Sequence, residues 1–163
     1  MKVTIIRTNR QRQLCVTTRR IEHLLERMLK DDSKFTIQKF REAVPSLSFG
    51  YDGYKDMPTW HRVYPAAEFQ KDENDNLQMK SCNGLLLLSF KNILKPEDVQ
   101  LVKKQAAFLP STLIAVTGAD GRSVEVLVRF TDREGGLPTD EIHADRLYQT
   151  AYRQILPIYQ SII

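Results

Sequence analysis

The chain has only two cysteines, Cys15 and Cys82, far apart and in no Cys-x-x-Cys or Cys/His spacing. A zinc site is therefore not expected, and both read as free thiols of a reducing compartment. No run approaches the roughly twenty apolar residues of a membrane span. The opening MKVTIIRTNRQRQ has neither the apolar stretch nor the small-residue cleavage site of a signal peptide, which predicts a cytoplasmic protein with no membrane partner. Glycine and proline are sparse, seven each, so neither a repeat nor a low-complexity tract is in view. The three histidines, His23, His61 and His143, are widely separated and read as surface or packing residues. A Cys–His nucleophile pair would have to be assembled in space, and no sequence feature supports one.

What is present is the make-up of one globular domain, residues 1–163, with 42% hydrophobic and 27% charged residues. The net charge of +4 is uneven: residues 1–41 hold eleven Lys or Arg against four acids, a local +7, which leaves −3 for the remainder. Such a block can follow a phosphate backbone, with Arg7, Arg10 and Arg12 as its leading contacts. The plainer reading is a solvated face, since Glu22, Glu26, Asp31 and Asp32 offer helical partners. The domain divides into a basic strand–helix–helix part with its loop, 1–62, and a core, 63–163.

Local patterns predict the elements. KVTIIRT reads as a strand; Thr17 or Thr18 is placed to cap a helix carrying Ile21, Leu24, Leu25, Met28 and Leu29 at helical spacing. FTIQKFREAV reads as a second helix and SLSFGYDGYKDMPTWHR as a loop. VYPAAEF is a proline-marked strand and QKDENDN a turn. NGLLLLSFKNI is apolar on both faces and predicts a central strand covered on both sides. Pro96 opens a helix with Val99, Val102 and Ala106 on one face. TLIAVTGADGRSVEVLVRF is a hairpin about Asp120-Gly121. A long terminal helix follows, capped by Thr139 and bent or broken near Pro157. The sum is an α+β fold, a mixed or antiparallel sheet with helices packed on it.

Chemistry is thinly marked. Two-metal nucleotidyl transfer needs carboxylates clustered on neighbouring strands, whereas the acids here gather in loops, Asp72, Glu73 and Asp75, and Asp132 and Glu134. No metal or cofactor is expected. The turn Thr117, Gly118, Gly121, Arg122 can cradle a phosphate with backbone N–H groups, although hairpin geometry alone accounts for both glycines. Trp60, Tyr51 and Tyr54, interleaved with Lys55 and Arg62, have a composition suited to base stacking, or to a plug over a core edge.

From VYPAAEF onward the order of PAAEF, NGLLLLSFKNI, KPEDVQLVKKQAAFLP, AVTGADGRSVEVLVRF and HADRLYQTAYRQILPIYQ resembles the VirE N-terminal domain family of phage and mobile-element replication proteins. That family in turn resembles the primase-polymerase superfamily, which implies an RRM-like sheet. Where the resemblance places a metal-binding Asp-x-Asp, this chain has Ser89 and Lys91; the position near Glu125, commonly basic or His-like, is acidic. The resemblance thus implies a catalytically degenerate primase-like module, with Ser89 and Lys91 available to phosphate rather than metal. The partners it implies are DNA or RNA and other domains or subunits of a replication protein. An active transferase drawing carboxylates from loops, and a protein-interaction domain, are the alternatives.

Overall fold

A computed structural model describes residues 1–9, 11, 13–30, 37, 38, 41 and 62–162. Within these, eight strands and three helices follow as β1 (Lys2–Thr8), β2 (Leu14–Arg20), α1 (Ile21–Lys30), β3 (Arg62–Tyr64), β4 (Ala67–Lys71), β5 (Leu77–Cys82), β6 (Leu85–Phe90), α2 (Pro96–Ala107), β7 (Thr112–Thr117), β8 (Val124–Arg129) and α3 (Glu141–Ile162). All described strand pairs are antiparallel. The fold is α+β. The helix read over residues 35–44 lies outside the described residues except at 37, 38 and 41, and the loop over 46–62 except at Arg62.

The leucine run forms β6, in a three-stranded sheet of order β6-β8-β7. Alternation sends Leu86 and Leu88 to one face, where they meet Val99, Val102 and Ala106 of α2 and Ala151 and Tyr159 of α3. Leu85 faces the other way, against Val3 and Ile21. Leu85, Leu86 and Leu88 are all fully buried, each stabilising the fold by about 1.5–3 kcal/mol relative to exposure. The two covered faces agree with the sequence pattern, but β6 is an edge strand of its sheet, and β8 is central. Burial on both faces comes from layers above and below, which an apolar run reports; lateral neighbours leave no mark in it.

The N-terminal segment differs from its reading. Thr17 and Thr18 lie inside β2, which pairs with β1 over its whole length from Lys2↔Arg20 to Thr8↔Leu14. Val16, Thr17 and Thr18 suit an extended backbone better than a helix start, and α1 opens only at Ile21, whose N–H donates to the Met1 carbonyl at 3.2 Å. β1 also pairs with β3. It reaches β4 through the fully buried Thr4, whose hydroxyl donates to Ala67 O at 3.1 Å and accepts from Phe69 N–H at 2.8 Å. Those two groups flank the register shift at Glu68/Phe69 in the β4–β5 pair, so one hydroxyl serves main-chain groups at a bulge. Asn83 makes a similar tie, its Nδ2 donating to Lys2 O and Pro65 O.

Gly84 joins β5 to β6 at φ +60°, where a Cβ would lie 2.6 Å from the Phe130 carbonyl; glycine fits this approach without strain. α2 begins with Pro96 in its first turn and buries Val99, Val102 and Ala106, as its spacing predicts. α3 is capped by Asp140 rather than Thr139: the Asp140 carboxylate accepts the His143 N–H at 3.0 Å. The helix runs through Pro157 to Ile162 without a break. Pro157 sits on the exposed side, where water can serve the carbonyl that its missing N–H leaves free. Beyond it, the buried Tyr159 donates its hydroxyl proton to Thr112 Oγ1 at 2.6 Å, and Thr112 donates to Ala106 O. This chain of bonds ties α3, β7 and the end of α2 together.

Candidate functional site

Ser89 and Glu125 occupy facing positions on β6 and β8, with Val116 of β7 on the other side of Glu125. Parity places this row on the face opposite the α2–α3 core. The Ser89 hydroxyl donates to the Glu125 carboxylate. Lys91 lies one residue past the end of β6, exposed, with no ion-pair partner among the described residues. The chain then turns at Asn92, φ 62°, and Ile93 N–H donates to Arg122 O at 2.9 Å. That bond brings the segment after β6 against the hairpin turn, so Ser89, Lys91, Thr117, Gly118, Gly121 and Arg122 gather at one end of the sheet.

The turn itself is internally bonded. Gly118 N–H donates to Ser123 O, Gly121 N–H to Gly118 O, and Arg122 N–H to the Asp120 carboxylate, which also accepts the Ser123 hydroxyl. A Cβ at Gly118 would collide with that hydroxyl. With these N–H groups engaged, the turn shows carbonyls outward, and a cation takes them: Arg41 Nε donates to Ala119 O at 3.2 Å and Arg41 Nη2 to Gly118 O at 3.3 Å. The cationic side chains at this end are the exposed Lys91, without an ion pair among the described residues, and the half-buried Arg122. Sequence reasoning missed Arg41 as a turn ligand, because a contact 78 residues away along the chain leaves no local signal.

The second basic feature is the β1–β2–β3 sheet. Register sets Lys2 opposite Arg20 and Arg62 opposite Ile6, with Arg7 and Arg19 on the same strands. All five cations are exposed, and none makes an ion pair among the described residues. Alternation puts Lys2, Arg20 and Arg62 on one face of this sheet and Arg7 and Arg19 on the other; Arg10 and Arg12 lie outside the described residues, as do Tyr51, Tyr54, Lys55, Trp60 and His61.

The remaining candidates stay separate. Asp72 organises its own turn, accepting N–H bonds from Asn74 and Asn76 that hold its carboxyl below the usual range. Asp132 likewise accepts the N–H groups of Glu134 and Gly136 in its turn. The His143 N–H and ring hold Asp140 low in the same way. Among the described residues no three His, Cys, Asp or Glu side chains come together as a metal site, and no helix is long and apolar enough to cross a membrane.

A further site has no counterpart in the sequence reading: a cavity of about 390 Å³ between the β3–β5 strands, the edge of β6 and the first half of α3. Small residues make the space, Ala66 and Ala67 on one side and Ala144 on the other. Tyr148 crosses the gap; burial pushes its phenol above the ordinary tyrosine value, partly offset by the Leu87 backbone N–H. The PAAEF segment and Ala144–Tyr148 were each visible, but nothing in sequence says that they face one another.

An α+β chain of this build, with a basic strand layer and a hairpin end holding serine and lysine, is not defined by any single catalytic motif. The chain belongs to the family described as BT4734-like, N-terminal domain, which matches residues 56–163. This name differs from that of the VirE N-terminal domain family whose motif order the sequence resembles. Comparison with curated proteins and with solved structures gives no match.

Proposed function

We propose that the chain is a catalytically degenerate, primase-like module that associates with nucleic acid in the replication of a mobile genetic element. The observation that carries the nucleic-acid part is the set of exposed cations of one small sheet, Lys2, Arg20 and Arg62 on one face and Arg7 and Arg19 on the other, none with an ion pair among the described residues. Cations without carboxylate partners have only counterions to give up, and phosphates displace those counterions at an entropic gain. Lys91 and Arg122 at the hairpin end add side-chain contacts of the same sign. The primase-like part rests on motif order and on Ser89 and Lys91 standing where that order places metal-binding acids. The test is direct binding of fluorescent single-stranded and duplex DNA and RNA at low salt, run beside primer extension with Mg²⁺ or Mn²⁺. The reading predicts binding without chelator-sensitive extension. Template-dependent extension would favour an active transferase instead.

A second reading, a protein-interaction domain, is favoured by the outer face of α2. Leu101 of α2 and Phe108, the residue that caps its end, are seven residues apart, within about 20° of one another by helical spacing, and are 53% and 76% exposed. The exposed Ile142, Tyr152 and Ile158 of α3 do not share one face at their spacing. Failure of every nucleic acid to bind at low salt would leave this second reading in place.

A further inference from the structure

The cavity between β3–β5 and α3 has a marked chemical bias. Four aromatic side chains line it, Tyr64, Phe69, Phe130 and Tyr148, and Phe130 and Tyr148 meet edge to face with ring centres 6.0 Å apart. Among the described residues no lysine or arginine lines it, in a protein of net charge +4, whereas Glu141 and Asp145 do. These two acids are four residues apart in the first turns of α3, exposed, and without an ion pair among the described residues. Tyr64 is 40% exposed, so the cavity is open to solvent on the β3 side. Aromatic faces carry negative potential and attract a cation most strongly where water is excluded. Unpaired carboxylates beside those faces add attraction for the same charge and repel phosphate.

We propose that this cavity binds a small organic cation with an apolar or aromatic body, of the alkylammonium or methylated-amine class. The ammonium group sits among the aromatic faces with Glu141 and Asp145 at hand, and the body fills the apolar interior. The site borders the basic β1–β3 sheet through Val63 and Tyr64 but has the opposite charge, which disfavours a phosphate backbone in it.

Isothermal titration of the full chain with three probes of similar size tests this: benzyltrimethylammonium, neutral benzyl alcohol and anionic phenylacetate. The cation should bind in the micromolar to millimolar range, the alcohol more weakly and phenylacetate not at all. Glu141→Gln and Asp145→Asn, both on exposed positions, should each weaken the cation about two- to fivefold and leave the alcohol unchanged. Tyr148→Phe should retain most cation affinity, whereas Tyr148→Leu should lose about three- to tenfold, with circular dichroism reporting that each variant folds. Equal affinity for cation and alcohol would show an apolar cavity only and overturn the proposal. So would the absence of cation binding, or cation binding indifferent to all four variants.

Discussion

Ser89 donates a hydrogen bond to Glu125 across the β6–β8 pair, on the sheet face turned away from the α2–α3 core. A serine–carboxylate pair there consumes one acceptor of Glu125, and the charge that follows Ser89 toward the hairpin end is the exposed cation Lys91. Lys91→Ala should therefore weaken binding of single-stranded DNA while changing unfolding free energy by less than about 0.5 kcal/mol, since an exposed lysine beyond a strand end contributes little to stability. Anisotropy titration and urea unfolding on the same sample check both halves. The double variant Ser89→Asp, Lys91→Asp sets two new carboxylates beside Glu125 and should gain affinity for Mn²⁺ that the parent lacks, read by proton relaxation.

Arg41 holds the Gly118 and Ala119 carbonyls. Arg41→Ala should destabilise the protein by about 0.5–1.5 kcal/mol, the net worth of partly exposed hydrogen bonds. It should also speed hydrogen exchange at Gly121 more than at β8. Exchange unchanged across the turn would mean that the turn's own bonds suffice.

Thr4→Val keeps the side-chain shape and removes the hydroxyl that serves Ala67 O and Phe69 N–H in a fully buried position. Leaving these groups unsatisfied costs about 1–3 kcal/mol, and Thr4→Ser should recover most of that loss. Chemical denaturation of the three proteins decides it.

The elements that sequence made legible are those whose signals are local. Pro96 with Val99, Val102 and Ala106 marked α2, and the β-branched runs about Asp120-Gly121 marked the β7–β8 hairpin. What sequence did not show depends on partners distant along the chain. β2 read as a helix approach because Thr17 and Thr18 resemble caps until β1 supplies a ladder for them. The four leucines showed two covered faces, yet only the pairing of β8 with both neighbours shows that β6 is at an edge. At the candidate site, motif order singled out Ser89 and Lys91, but the pairing of Ser89 with Glu125, the engagement of the turn by Arg41 and the aromatic cavity over Ala66 and Ala144 are products of tertiary packing.

Tyr148 gives a pH dependence with a definite sign. Burial raises its folded-state pKa above the ordinary 10.0, so the native state holds this proton more tightly than the unfolded chain. The corresponding stability is fully present below pH 10.0 and is lost as pH rises through the higher folded-state value. Tyr148→Phe should remove that alkaline component, making the fall of the melting temperature above pH 10.0 shallower and leaving it unchanged below. A slope identical to the parent's would assign the loss to other groups.

Whether the exposed cations of the β1–β3 sheet follow a phosphate backbone, as proposed, is decided by the salt dependence of single-stranded DNA binding. The logarithm of the association constant should fall linearly with the logarithm of salt, at about −0.7 for each phosphate neutralised. In Lys2→Gln, Arg20→Gln, Arg62→Gln, which share one face of the sheet, the slope should be shallower by about 2, three contacts at that value each. No binding by the parent at low salt, or the same slope in parent and variant, would contradict the account.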